Sequence, residues 1–142
     1  MSHLVAINAE TRLAISDLVA EVNRKLDTSA PQDFAALFTD DGSFKAAGKE
    51  HRGRSALQEF ADVRTAQDKI SRTFLGSHHL QRVSDEEIHG VLPYILFMAS
   101  TAGPTTPDVF AVGEYVDVYR LEDGRWRLAS RESKQVFSRP KP

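Results

Sequence analysis

Between residues 9 and 26 the apolar side chains Ile15, Leu18, Val19, Val22 and Leu26 recur at three- and four-residue steps. That is the spacing of one helix face, and Asn8 stands where an N-cap belongs. Residues 28–32 read as a stop and restart. Ser29 serves as cap and Pro31 sits in the first turn of a short second helix carrying Phe34, Leu37 and Phe38. Asp40-Asp41-Gly42 reads as a turn into a brief strand over residues 43–46, and residues 48–52 as a loop. Leu57, Phe60 and Val63 mark a third helix that begins at Gly53 or Arg54. Beyond Gln67 the pattern shifts toward strands. Residues 71–83 and 87–100 are rich in β-formers, with a Ser84-Asp85-Glu86 turn between them and Pro93 marking a bulge or an edge. Residues 101–107, with Gly103, Pro104 and Pro107, read as a surface loop. Two last strands flank Asp123-Gly124, a dipeptide suited to a type I′ turn because both central positions take φ > 0. Helices first and antiparallel strands after predict an α+β fold, its helices packed on one face of a curved sheet with a pocket between them.

Composition narrows the function classes. The 142 residues predict one domain spanning 1–142, large enough to enclose a ligand cavity. A formal net charge of −2 gives no reason to expect nucleic acid or an anionic membrane as partner. The chain has no cysteine, which removes disulfides, thiolate chemistry and Cys-based metal sites. The first eight residues lack the basic region and apolar length of a signal peptide, and no run approaches the ~18 apolar residues of a membrane span. The expectation is a soluble cytoplasmic protein.

Several pieces, in this order, carry a resemblance to a known family: Leu26-Asp27; Asp33-Phe34 through Leu37-Phe38 to Asp41-Gly42; Gly53-Arg54 through Leu57 to Phe60; Ser77-His78-His79-Leu80; and the hairpin from Gly113 to Arg131. Together they resemble the NTF2-like superfamily over roughly residues 9–136, and within it the SnoaL-like branch that includes scytalone dehydratase and bile-acid 7α-dehydratase. The resemblance implies an NTF2-like cone, with N-terminal helices on the concave face of a curved, mostly antiparallel sheet. It also implies a small, apolar, oxygenated ligand and a homodimer or homotrimer. The reaction it implies is cofactor-independent: a dehydratase or isomerase acting next to a carbonyl. The same superfamily also hosts polyketide cyclases, ketosteroid isomerase-like enzymes and non-catalytic binding or assembly modules.

The resemblance places Asp27 and His79 on that family's acid–base pair. A carboxylate that accepts from one imidazole nitrogen fixes the tautomer and raises the basicity of the other. The plainer alternative is that Asp27 ends the first helix and His79 is a hydrogen-bonded core residue. His78 and His79 point to opposite faces of a strand, which argues against a shared metal ion, and His79 is the one expected to face the pocket. With His79 opposite residue 92, Tyr94 and Met98 fall on the same face, Tyr94 as a candidate proton or hydrogen-bond donor. Met98 replaces a histidine that the resemblance leads one to expect. In the last hairpin a constant register puts Tyr115 and Asp117 on one face as candidate substrate-binding residues. Arg131 falls on the other unless a bulge turns it inward; a cross-sheet ion pair with Asp117 is the alternative role for both. Trp126 and Leu128 read as core.

Overall fold

A computed structural model describes residues 6–100, 104 and 106–139. Helix α1 spans Ala9–Asp27, and Asn8 caps it by accepting a hydrogen bond from the Thr11 amide at 2.8 Å. Its buried stripe of Ile15, Leu18, Val19 and Val22 also contains Asn23. The expected second helix shrinks to a 3₁₀ turn over Phe34–Leu37, because Ser29 and Asp33 both adopt positive φ and Ser29 caps nothing. Strand β1 runs through Phe38–Ala46, so Asp40-Asp41-Gly42 is not a turn but an irregularity within a strand. The reason lies across the sheet. A Cβ at Gly42 would come within 2.8 Å of the Phe38 Cβ and 3.2 Å of the Leu128 carbonyl, so the glycine permits close packing.

The expected loop at residues 48–52 is instead strand β2, Lys49–Arg52, joined to β1 by Ala47 and Gly48, both at positive φ. Helix α2 follows over Arg54–Ala66, burying Leu57 and Ala61. The expected strand at 71–83 is broken in two: β3, Ile70–Leu75, and β4, His79–Ser84. Then come β5 (Glu87–Ala99), β6 (Val109–Glu122) and β7 (Arg125–Ser138).

The strands form one seven-stranded sheet in the order β2-β1-β7-β6-β5-β3, with β4 beside β5. All pairings are antiparallel except β1 with β7. The helices cover the concave face, where Ile15, Leu18, Val22, Phe34, Phe38, Leu57, Ile88, Tyr119 and Leu128 make a continuous core. Each such large apolar side chain contributes about 1.5–3 kcal/mol on burial. Trp126 is partly buried against this core.

Candidate functional site

Two one-residue irregularities decide which side chains reach the interior. The β6–β7 hairpin starts on the expected register, pairing Glu122 with Arg125 through Tyr119 with Leu128. Asp123 and Gly124 turn the chain at φ 53° and 76°. A bulge then sets Val118 opposite Ser130 and Asp117 opposite Arg131. Arg131 is thereby turned inward, and its guanidinium donates to both Asp117 carboxylate oxygens at 2.8 Å. Both side chains are essentially without solvent contact.

The second irregularity lies between Arg82 and Ser84. Ser84 and Glu87 close the turn as expected, but upstream of the shift His79 pairs with Val91 rather than residue 92. A one-residue slip exchanges the faces of a strand. His79 is therefore exposed on the outer side and His78 is turned in. The expected contact of His79 with Asp27 does not form. Gly90 leaves the space His78 needs, since a Cβ there would meet the Tyr119 ring at 2.8 Å and His78 Nε2 at 3.0 Å.

The inward groups form a chain. Tyr119 donates its phenol proton to Asp117 at 2.6 Å, so the 2.9 Å contact between His78 Nε2 and Tyr119 Oη must be donated by the histidine. At the other end Arg131 Nη1 donates to Asn23 Oδ1 at 2.9 Å. Burial works against the Arg131 charge, but Asp117 more than offsets it and holds the guanidinium above its usual pKa. Burial, then the Asp117 carboxylate, push the Tyr119 phenol up. Burial lowers the His78 pKa, opposed by Asp117 and aided by Arg131 and Arg12. A folded-state histidine pKa below the unfolded value of 6.5 means the unfolded chain binds protons more readily. This contribution is complete above that value and is lost as pH falls below it. We expect the melting temperature to fall on acidification from about pH 7 to about pH 5, with a shallower slope in His78→Gln. An unchanged slope in that variant would remove His78 as the cause.

Asp27, at the C-terminal end of α1, meets β3 instead of a histidine. Its Oδ1 accepts from Ser71 Oγ at 2.7 Å and Thr73 Oγ1 at 3.2 Å, and its Oδ2 accepts from the Thr73 amide at 2.7 Å. Ser71 Oγ in turn accepts from Arg64 Nη2 at 3.1 Å. Arg64 loses some basicity through burial, while Asp27 favours its charge.

Asp27, Arg64 and Thr73 border a cavity of about 220 Å³ between the helices and the concave face. Its polar lining includes Asn23, Asp27, Arg64, Tyr94, Tyr115 and Ser133, with Thr73 and Gln135 beside them, among apolar residues such as Leu26, Phe44 and Phe60. Tyr94 stacks on Tyr115 at 4.5 Å and shares a 2.9 Å hydrogen bond with Ser133 Oγ. The Arg131 guanidinium lies 4.0 Å from the Tyr115 ring centre on which it rests. Burial pushes the Tyr115 phenol up to about 12, so it remains a donor at neutral pH. Of the residues proposed from sequence, Asp27, Tyr94 and Tyr115 meet here. His79, Met98, Asp117 and Arg131 are not among the lining residues: Met98 borders a separate apolar groove near the end of β5, and Asp117 and Arg131 are occupied with each other. Among the described residues no group of three or more His, Asp or Glu is placed to hold a metal ion, and no helix is long and apolar enough to cross a membrane.

Sequence reasoning missed Asn23, Arg64, Ser71, Thr73 and Ser133. Two had a signal. Asn23 interrupts the apolar stripe of α1 four residues after Val19, and Arg64 follows Leu57 and Phe60 on the inner face of α2.

The profile of the SnoaL-like domain family matches residues 8–132. The chain belongs to that family. Its NTF2-like fold recurs in a variant of Rv3472, a protein of unknown function from Mycobacterium tuberculosis. The two share 28% identity over 90% of this chain and 77% of that one, with a TM-score of 0.79. A Novosphingobium aromaticivorans protein proposed to be a scytalone dehydratase is 21% identical over 90% and 85%, at 0.77. An NTF2-like protein with a cystatin-like fold from the same organism is 20% identical over 89% and 82%, at 0.74. None of the curated proteins matches the chain by sequence.

Proposed function

We propose that this SnoaL-like protein binds a small, mostly apolar molecule bearing oxygen in the cavity between α1, α2 and the sheet. The observation that carries this reading is the lining itself: an apolar shell with Asp27, Arg64, Tyr94, Tyr115 and Ser133 converging on one space. An ionised carboxylate has about four acceptor positions. Asp27 spends three on Ser71 and Thr73, which leaves one on Oδ2 for a ligand hydroxyl. The outward position of His79 favours binding over acid–base chemistry by a His–Asp pair. α-Naphthol, a fluorescent two-ring phenol, is a suitable probe. We expect it to bind the wild type, and Ala46→Trp, which fills the cavity from the end of β1, to weaken it by at least about tenfold. Ile95→Trp on the outer face of the sheet should bind as the wild type does. Equal loss in both variants, or in neither, would refute the location.

One observation supports a second reading, a cofactor-independent lyase or isomerase. Among the described residues Asp27 is the one carboxylate in the lining, and the protonated Tyr115 phenol borders the same space. In that reading Asp27 acts alone as base on a carbon next to a carbonyl, and Tyr115 or Tyr94 donates to the enolate oxygen.

A further inference from the structure

Asn23 is one of the residues of the cavity wall, and its buried amide nitrogen is an unspent hydrogen-bond donor among the described residues. Asn23 is 7% exposed, lies on the buried stripe of α1 and lines the cavity. Its two ends are told apart by chemistry. Arg131 has donors and no acceptor, so the atom 2.9 Å from Arg131 Nη1 must be the amide oxygen. Arg131 cannot turn away, because Nε and Nη2 are committed to Asp117 and its face rests on Tyr115. The Nδ2 group is therefore forced to the opposite side, and among the described residues it has no partner. Buried donors in folded proteins are almost always paired, and the exceptions call for a ligand or another explanation.

Building on the binding reading, we infer that Asn23 Nδ2 donates to a carbonyl oxygen of the bound molecule, so that the cavity selects ketones over hydrocarbons of the same shape. Asn23 and Asp27 lie four residues apart on one face of α1. The ligand thus meets a donor at Asn23 and an acceptor at Asp27 about one helical turn, ~5.4 Å, away. The Arg131–Asp117 pair contributes to this site indirectly, by fixing which end of the amide the ligand meets.

The test compares α-tetralone, a two-ring ketone, with tetralin, the same ring system lacking the carbonyl. Wild-type protein should prefer the ketone by about tenfold or more, equivalent to about 1.4 kcal/mol. Asn23→Asp keeps an oxygen for Arg131 and removes the donor. It should abolish that preference by weakening the ketone and leaving tetralin unchanged, whereas Ile95→Trp, on the outer face of the sheet, should retain it. A preference that survives Asn23→Asp, or one that vanishes in Tyr115→Phe alone, overturns the assignment while the cavity reading stands. If neither probe binds the wild type, the cavity reading and this inference fall together. If Asn23→Asp does not fold, the carbonyl stretch of α-tetralone bound to Tyr115→Phe decides. A shift to lower frequency relative to the ketone in hexane supports the contact, and an unshifted band overturns it.

Discussion

Asp117→Ala is expected to lower stability by about 3–5 kcal/mol, because it leaves a buried guanidinium without its counter-charge. The Arg131 and Asp117 side chains are 1% and 0% exposed, so water cannot take over the role of the carboxylate. Tyr119 Oη loses its acceptor at the same time. For a chain of this length the melting temperature should fall by roughly 10 °C or more, read by calorimetry or circular dichroism. The paired replacement Asp117→Leu with Arg131→Met should recover much of the loss, since well-packed apolar groups often substitute for a buried ion pair without cost. Full recovery is not expected, because Asn23 Oδ1 and Tyr119 Oη would still lack their partners. A single variant that melts with the wild type would show that the pair is not a stability element.

The same pair shows what could be read in the sequence and what could not. The Asp123-Gly124 turn and the next four cross-strand pairs follow from a local rule, since a two-residue turn with both φ positive fixes the register beside it. The bulge that turns Arg131 inward has no such local signature. It is held by tertiary contacts: the guanidinium on Asp117, Asn23 and the Tyr115 ring. The slip at Val83 is of the same kind, with Gly90 providing the room and the Tyr119 hydroxyl the partner for His78. One residue of slip reversed the expected facing of His78 and His79, although the turn between Ser84 and Glu87 lay where the pattern put it. Helices α1 and α2 were legible through their apolar period, and β2 was not, because four mostly exposed polar residues carry no period. The cavity followed from the fold. Its polar lining depended on which residues of the broken β3–β4 segment face inward, and that is decided across the sheet.

Asp27→Asn is the second large effect expected, and it separates binding from chemistry. The variant should fold. The amide oxygen can take the fixed Thr73 N–H, while the Ser71 and Thr73 hydroxyls rotate to accept from the new NH₂ group. What disappears is the negative charge facing a ligand hydroxyl inside the cavity. Hydrogen bonds to charged groups are worth about 1.5–3 kcal/mol, so α-naphthol should bind roughly tenfold to a hundredfold more weakly. Tetralin, which has no hydroxyl to donate, should bind the variant as well as the wild type. Equal affinity of α-naphthol for both proteins would remove Asp27 from the site. The α-protons of α-tetralone provide the test for chemistry, since their exchange with deuterium can be followed by NMR without knowledge of the natural substrate. A protein that only binds leaves the exchange at the buffer rate. If the wild type accelerates it, Asp27 is the base, and the asparagine variant should lose about 10²–10⁴ of that acceleration while still binding the ketone through Asn23.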